Sequence, residues 1–167
     1  DYPVETARKT KKGTTLNQKH TVFYSPKNGE GDISAYEIPV RTDEIVSHVR
    51  YSEDGKWVAF QKSDMREGQR LFDERPGKIS LYVGKVASNG TWEEVMPFEH
   101  NGNSYSTGYP AFSPDGSVLY FASTRPGGLG GWDIWVSFRG ISGWTTPQNI
   151  GGEINSPGNE IAPFYAG

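Results

Sequence analysis

The chain has 167 residues, with 21 glycines, 11 prolines, 13 % aromatic residues and a net charge of −3, enough for one core interrupted by many turns. It has no cysteine, which excludes disulfides, thiolate metal sites, a cysteine nucleophile and a lipid-bearing N-terminal cysteine within these residues. No apolar run approaches bilayer length and no basic-plus-apolar leader opens the chain, so no membrane insertion is expected, and the mean hydropathy of −0.65 implies extensive solvated loops.

In chain order, residues 1–18 read as a linker or extension. Their basic cluster, Arg8, Lys9, Lys11 and Lys12, is too local and too poor in interleaved aromatics for a nucleic-acid surface. Residues 19–46 then carry part of a first repeat. Thr21–Ser25 reads as a strand, and Asp32-Ile33 opens a second strand running to Tyr36. Asn28 to Asp32 places oxygens at alternate positions, as calcium loops do, but lacks the later bidentate glutamate, and no metal is expected there.

A fuller repeat covers 47–98. Tyr51-Ser52-Glu53-Asp54-Gly55 is followed by the apolar run Trp57–Phe60. Gly55 supplies the positive φ of a tight turn and Ser52 can bond back into it, so the segment reads as strand A, turn, strand B. Asp64–Pro76 is charged and poor in β-branched residues, a long loop. Gly77–Val83 reads as strand C. Asn89-Gly90 then turns the chain into strand D at Thr91–Val95, which explains the Asn89-Gly90-Thr91 sequon without a glycan.

The next repeat covers 105–150. Phe112-Ser113-Pro114-Asp115-Gly116 matches the earlier turn, with Ser52 and Ser113 separated by 61 residues. A propeller blade takes roughly 40 to 50 residues, and the Asp64–Pro76 loop accounts for the excess. Val118–Phe121 is strand B, Trp132–Phe138 strand C, and Trp144–Thr146 strand D. Asp32 and Asp133 open equivalent strands, which suggests one hydrogen-bonding role repeated. Residues 159–166, around Glu160–Tyr165, read as a further strand A without its blade. The expected fold is therefore all-β: β-propeller blades of four antiparallel strands, about three of them. That is a partial propeller, either a piece of a longer one or half of a homodimer.

The string Gly108–Gly116, with Phe121–Gly128 and Trp132–Trp135, resembles the WD-repeat-like blade of the periplasmic Tol-system propeller protein. The tail Asn149–Glu160 followed by Ala162-Pro163-Phe164 is similar to the propeller of Bacteroidota envelope proteins, often preceded by tetratricopeptide repeats and followed by an OmpA-like peptidoglycan-binding domain. Some of those proteins serve type IX secretion and gliding. The likeness is closest over 105–165, looser over 45–63 and 78–97, and least before 45. It implies a non-enzymatic scaffold with a protein partner, periplasmic or outer-membrane-associated in a Gram-negative bacterium.

No catalytic motif is present: no nucleophile elbow, no zinc-protease helix and no phosphate-binding loop. His20, His48 and His100 lie at least 28 residues apart and share no ligand spacing. Gly127–Gly131 leads into no helix and reads as a flexible hairpin loop. Ser52-x-Asp54-Gly55-x-Trp57 is one residue too short for a sialidase aspartate box. By strand alternation one of Trp132 and Trp135, not both, belongs to the core. No cofactor is expected. The candidate partner-facing residues are Arg125, Trp132, Asn155, Asn159 and Glu160, the last three in a polar loop before the final strand A, and the long polar loops at 64–77, 99–107 and 125–131 suit recognition on a rigid scaffold. The rival expectation is carbohydrate binding, which an exposed aromatic and clustered carboxylates on one loop face would favour.

Overall fold

The computed structural model describes residues 18–24, 34–40, 44–64 and 77–165, with side chains for 46–63 and 77–165. Among the described residues the fold is all-β, without a helix, and is dominated by two antiparallel sheets. Sheet I has four strands in the order β3 (Glu44–Tyr51), β4 (Trp57–Asp64), β5 (Ile79–Val86), β6 (Trp92–Pro97). Sheet II has five: β7 (Thr107–Phe112), β8 (Val118–Ser123), β9 (Asp133–Gly140) and β10 (Gly143–Trp144) in sequence, with β11 (Gln148–Asn149) also on β9. Upstream, β1 (Gln18–Tyr24) and β2 (Ser34–Val40) form an antiparallel pair. Expectations for residues 1–17, for Asn28 to Asp32 and for the loop interior at 65–76 lie outside the described residues.

The two Ser-x-Asp-Gly segments adopt one geometry. Ser52 Oγ donates to Asp54 Oδ1 at 2.6 Å and accepts the Trp57 N–H at 3.0 Å; Ser113 Oγ does the same with Asp115 at 2.7 Å and Val118 at 2.9 Å. Gly55 and Gly116 sit at φ +70° and +68°, where a Cβ would strain the backbone. Both serines are buried. Each sheet therefore starts from the same closed loop, and the equivalences run on through the ladders. Phe60 pairs with Tyr82 as Phe121 pairs with Trp135.

The sheets stack face to face, with β7 lying across β3, β4 and β5. Ala59, Leu81, Val83 and Phe98 from sheet I meet Phe112, Leu119, Phe121 and Trp135 from sheet II in one core. A fully buried leucine or phenylalanine there contributes about 1.5–3 kcal/mol. The other face of sheet I holds a second cluster, in which Phe60 stacks between Tyr82 and Trp92 with both centroid distances 5.4 Å. Trp135 is the core tryptophan and Trp132 is only half-buried, as strand alternation requires.

Two strand expectations need correcting. Strand D of the second unit does not run through Trp144–Thr146. It is split into β10 and β11, because Pro147 has no N–H to donate and the Phe138 N–H bonds Thr145 Oγ1 at 2.9 Å. The segment Glu160–Tyr165 forms no strand, since no ladder partner stands beside it among the described residues.

That segment nevertheless shares a backbone signature with β3 and β7. Of the four non-glycine residues with positive φ among the described ones, His48, Tyr109 and Ala162 have φ of 53°, 52° and 55°, and Glu94, in β6, has 50°. In β3 and β7 the residue lies at a register shift, a β-bulge, between Ser47 and Arg50 and between Gly108 and Ala111. Proline follows Tyr109 and Ala162 alike, in Tyr109-Pro110-Ala111-Phe112 and Ala162-Pro163-Phe164-Tyr165.

Candidate functional site

The loops that leave β8 and enter β9 gather at one end of sheet II, and four of the five candidate partner residues emerge there. Arg125 follows the end of β8. Its Nε donates to Ser123 Oγ at 3.2 Å and its Nη2 to the His100 carbonyl at 3.0 Å, with Thr107 Oγ1 at 3.4 Å. The guanidinium lies 5.1 Å from the ring centroids of Tyr105 and Phe121 and 5.2 Å from that of Trp135. Such contacts contribute about 0.5–2 kcal/mol each, depending on desolvation. Burial lowers the pKa of Arg125 and Tyr105 opposes this, but a guanidinium stays charged at any physiological pH. It forms no ion pair among the described residues, and Nη1 has no hydrogen-bond partner there. The half-buried cation therefore keeps donor capacity for an outside acceptor.

Trp132, Asn159 and Glu160 come together around a second contact. The Trp132 N–H donates to Asn159 Oδ1 at 3.0 Å, and its carbonyl accepts the Glu160 N–H at 2.7 Å. Glu160 closes its own loop by accepting the Ser156 N–H at 3.0 Å and the Ser156 hydroxyl at 2.5 Å. The Trp132 ring meets Tyr109 edge-on at 5.5 Å, and Tyr109 meets His48 edge-on at 4.7 Å. His48 of β3, Tyr109 of β7 and Trp132 ahead of β9 thus form one run of ring contacts.

Asn155 is placed differently. It is buried and its amide grips the main chain of Ile134, accepting the N–H at 2.7 Å and donating to the carbonyl at 2.9 Å. Asn101 does the same to Leu81, at 3.0 and 2.7 Å. Ser106 Oγ accepts the Ile79 N–H at 3.1 Å as Asn159 Oδ1 accepts that of Trp132. Asn155 and Asn159 are in this respect repeat fasteners, each with a counterpart one unit earlier. The sequence carried the signal: Asn101 lies 20 residues beyond Leu81, and Asn155 lies 21 beyond Ile134.

Asp133 is also a fastener. It is buried and accepts the N–H groups of Leu129 at 2.9 Å and Gly130 at 3.1 Å, while a Cβ at Gly128 would meet its carboxylate at 2.2 Å. Gly127–Gly131 is therefore not the flexible loop expected. It is wound around a carboxylate and fastened to the Ser156–Asn159 loop by the Gly131 N–H on the Gly158 carbonyl at 2.9 Å. Asp32, the proposed equivalent, lies outside the described residues, and sheet I has Ser80 at the matching position.

The opposite end carries the Ser-x-Asp-Gly turns and a seam that sequence reasoning missed. A cleft of about 550 Å³ between the sheets is lined by Trp57, Met96, Glu99, Arg139 and Trp144 among others. Arg139 covers one face of Trp57 at 4.4 Å, and Trp144 meets Trp57 edge-on at 6.4 Å. Asp115 holds this end polar. The Ser117 N–H and the hydroxyls of Ser113 and Ser117 hold its carboxylate down to a pKa of about 2. Asp54 is also lowered: burial pushes its pKa up, but the Ser52 hydroxyl and the Lys56 N–H outweigh that.

Among the described residues no group of three or more His, Asp or Glu side chains is arranged to hold a metal, and no helix is long and apolar enough to cross a membrane. The chain matches no protein-family model, and no curated protein matches it.

Proposed function

We propose that this chain is a β-propeller module, its sheets I and II two successive blades, acting as a non-enzymatic scaffold in the envelope of a Gram-negative bacterium. Three features support the propeller part: the matching turns, the paired Asn101 and Asn155 fasteners, and the positive φ shared by His48, Tyr109 and Ala162. The envelope location and its secretion or peptidoglycan-associated setting rest on the sequence resemblance. The periplasm or the periplasmic face of the outer membrane is the proposed compartment.

The observation that carries the binding role is Arg125. Its cation is fixed by three hydrogen bonds and three aromatic rings, has no ion pair among the described residues, and sits on a rim with half-buried Trp132 and exposed Asn159. A rigid cation beside an aromatic on a loop face suits a protein segment carrying a carboxylate. Photo-cross-linkers at Trp132 and at Lys56, on opposite ends of the sheets, test this in envelope preparations. Adducts from position 132 that vanish in Arg125→Ala support the loop face; adducts only from position 56 contradict it.

Carbohydrate binding is the second reading, favoured by one observation. Half-buried Trp57 and Trp144 share a cleft with the carboxylates Glu94 and Glu99. Calorimetry with peptidoglycan fragments decides between the two. Saturable heat lost in Trp144→Ala supports the glycan reading and sinks the protein scaffold as stated.

A further inference from the structure

The rim at the loop end of sheet II is rich in donors that nothing accepts. His48, Tyr109 and Trp132 form a run of edge-on rings with centroid steps of 4.7 and 5.5 Å. His48 and Tyr109 stand at β-bulges with φ of 53° and 52°, a conformation uncommon for bulky residues and a device that re-aims side chains at binding sites. Burial and the neighbouring Arg50 hold the His48 pKa below its ordinary value, so its ring is neutral at neutral pH. None of the three residues is fully buried. Among the described residues neither the Tyr109 hydroxyl nor the Trp132 Nε1–H has a hydrogen-bond partner. The ladder pairs Ser123 with Asp133, which sets Arg125, with its unpartnered Nη1, on the strand end next to Trp132.

The side-chain acceptors around these donors are already engaged. Asn159 Oδ1 takes the Trp132 N–H at 3.0 Å, which leaves the Asn159 amide nitrogen as one more donor. The Glu160 carboxylate is closed on the N–H and hydroxyl of Ser156, and that of Asp133 on the N–H groups of Leu129 and Gly130. A saccharide, or a peptide of ordinary composition, brings hydroxyl or N–H donors that meet no open side-chain acceptor among these. A proline-rich segment brings acceptors alone, since proline has no N–H and a polyproline II helix leaves its carbonyls unbonded. Such segments dock in aromatic-lined grooves, where tyrosine and tryptophan offer an apolar ring and a polar edge. One turn of the segment, about 9 Å, is close to two of the ring-to-ring steps.

We propose that this rim binds a proline-rich segment of a partner protein in the polyproline II conformation. Its prolines lie on the His48–Tyr109–Trp132 run, and its carbonyls accept from the Tyr109 hydroxyl and the Trp132 Nε1–H. An acidic residue beside the prolines pairs with Arg125. The inference rests on the loop-face reading of Arg125 and adds the chemical class of the segment that docks there. Two conservative changes separate the donors from the rings. Tyr109→Phe and Trp132→Phe each keep an aromatic side chain and remove one donor, and each should weaken binding by about 2- to 10-fold.

The test is a titration of the purified chain with an oligoproline peptide carrying one glutamate. It is followed by calorimetry and by the NMR signal of the Trp132 indole N–H, identified by its loss in Trp132→Phe. The expected results are saturable binding, a shift of that signal, and the stated weakening in both phenylalanine variants. A control peptide with alanine in place of proline should bind far more weakly. Equal binding of the two peptides, abolished by Arg125→Ala, overturns the proline class and leaves the carboxylate reading standing. Binding that neither phenylalanine variant weakens overturns the assignment to this rim. No saturable binding of the proline peptide overturns the inference, and cross-linking at position 132 then decides the loop-face reading by itself. Peptidoglycan fragments that shift the Trp132 signal when the peptide does not would put a saccharide on the rim and overturn it as well.

Discussion

The main-chain N–H of Asp54 donates to the carbonyl of Pro114 across 3.0 Å, so the turn of one unit is bonded directly to the turn of the next. Beside this bond Gly116 lies so close to Trp57 that an added Cβ would approach its Cδ1 to 2.5 Å. The turns are thus part of the stacking interface as well as local closures.

Gly55 and Gly116 separate the two roles. Both need positive φ, but a Cβ at Gly55 meets nothing within 4 Å. Gly55→Ala should cost about 1 kcal/mol from backbone strain alone. Gly116→Ala should cost about 1–3 kcal/mol more, because Trp57 must move off sheet II. Urea unfolding of both variants checks the difference, and equal costs would contradict a turn-to-turn interface.

Asp115 makes the fold acid-sensitive in a defined window. Its folded pKa of about 2 lies below the ordinary 3.8, so the unfolded chain binds the proton more readily. The stabilisation is fully present above pH 3.8 and is lost as the pH falls toward about 2. Melting temperatures of the wild type and Asp115→Asn should differ at pH 6 and converge toward pH 2. A gap that widens on acidification would rule this out.

Removing either asparagine fastener leaves one main-chain N–H unpaired, that of Leu81 or Ile134, while each carbonyl keeps a main-chain donor, the Phe98 N–H on Leu81 and the Ile150 N–H on Ile134. Asn101→Ala and Asn155→Ala should each destabilise by about 1–3 kcal/mol per group left buried. Hydrogen exchange should show where each acts. Asn155→Ala should deprotect Ile134, whereas Asn101→Ala should deprotect Leu81 while leaving Ile134 unchanged.

Arg125→Lys tests whether the rim cation is fixed by geometry or by charge alone. An ammonium cannot reach Ser123 Oγ and the His100 carbonyl together while covering three rings. The substitution should cost about 1–2 kcal/mol in urea unfolding although the charge is kept. An unchanged stability would mean that the guanidinium contacts contribute nothing.

Much of the fold was legible because turn chemistry is local. Asp54-Gly55 and Asp115-Gly116 announce positive φ, and the flanking runs can only be strands. The strand D break at Pro147 was equally open to view, but its cause, the Thr145 hydroxyl replacing a ladder bond, depends on side-chain geometry. The site was harder. Polar residues in a loop look like a binding rim, yet Asn155 faces inward because main-chain groups there need partners. Arg125 was picked out for its loop position, while the aromatic cage that fixes it draws Tyr105, Phe121 and Trp135 from three separate segments.

The most direct test of the central claim, that sheets I and II are successive blades around one axis, is a crystal structure of the assembled protein. The account predicts one rotation relating each sheet to the next, with β3, β7 and residues 160–165 side by side along the axis and His48, Tyr109 and Ala162 level with one another. Sheets packed as a closed two-layer sandwich, with residues 160–165 lying elsewhere, would contradict it.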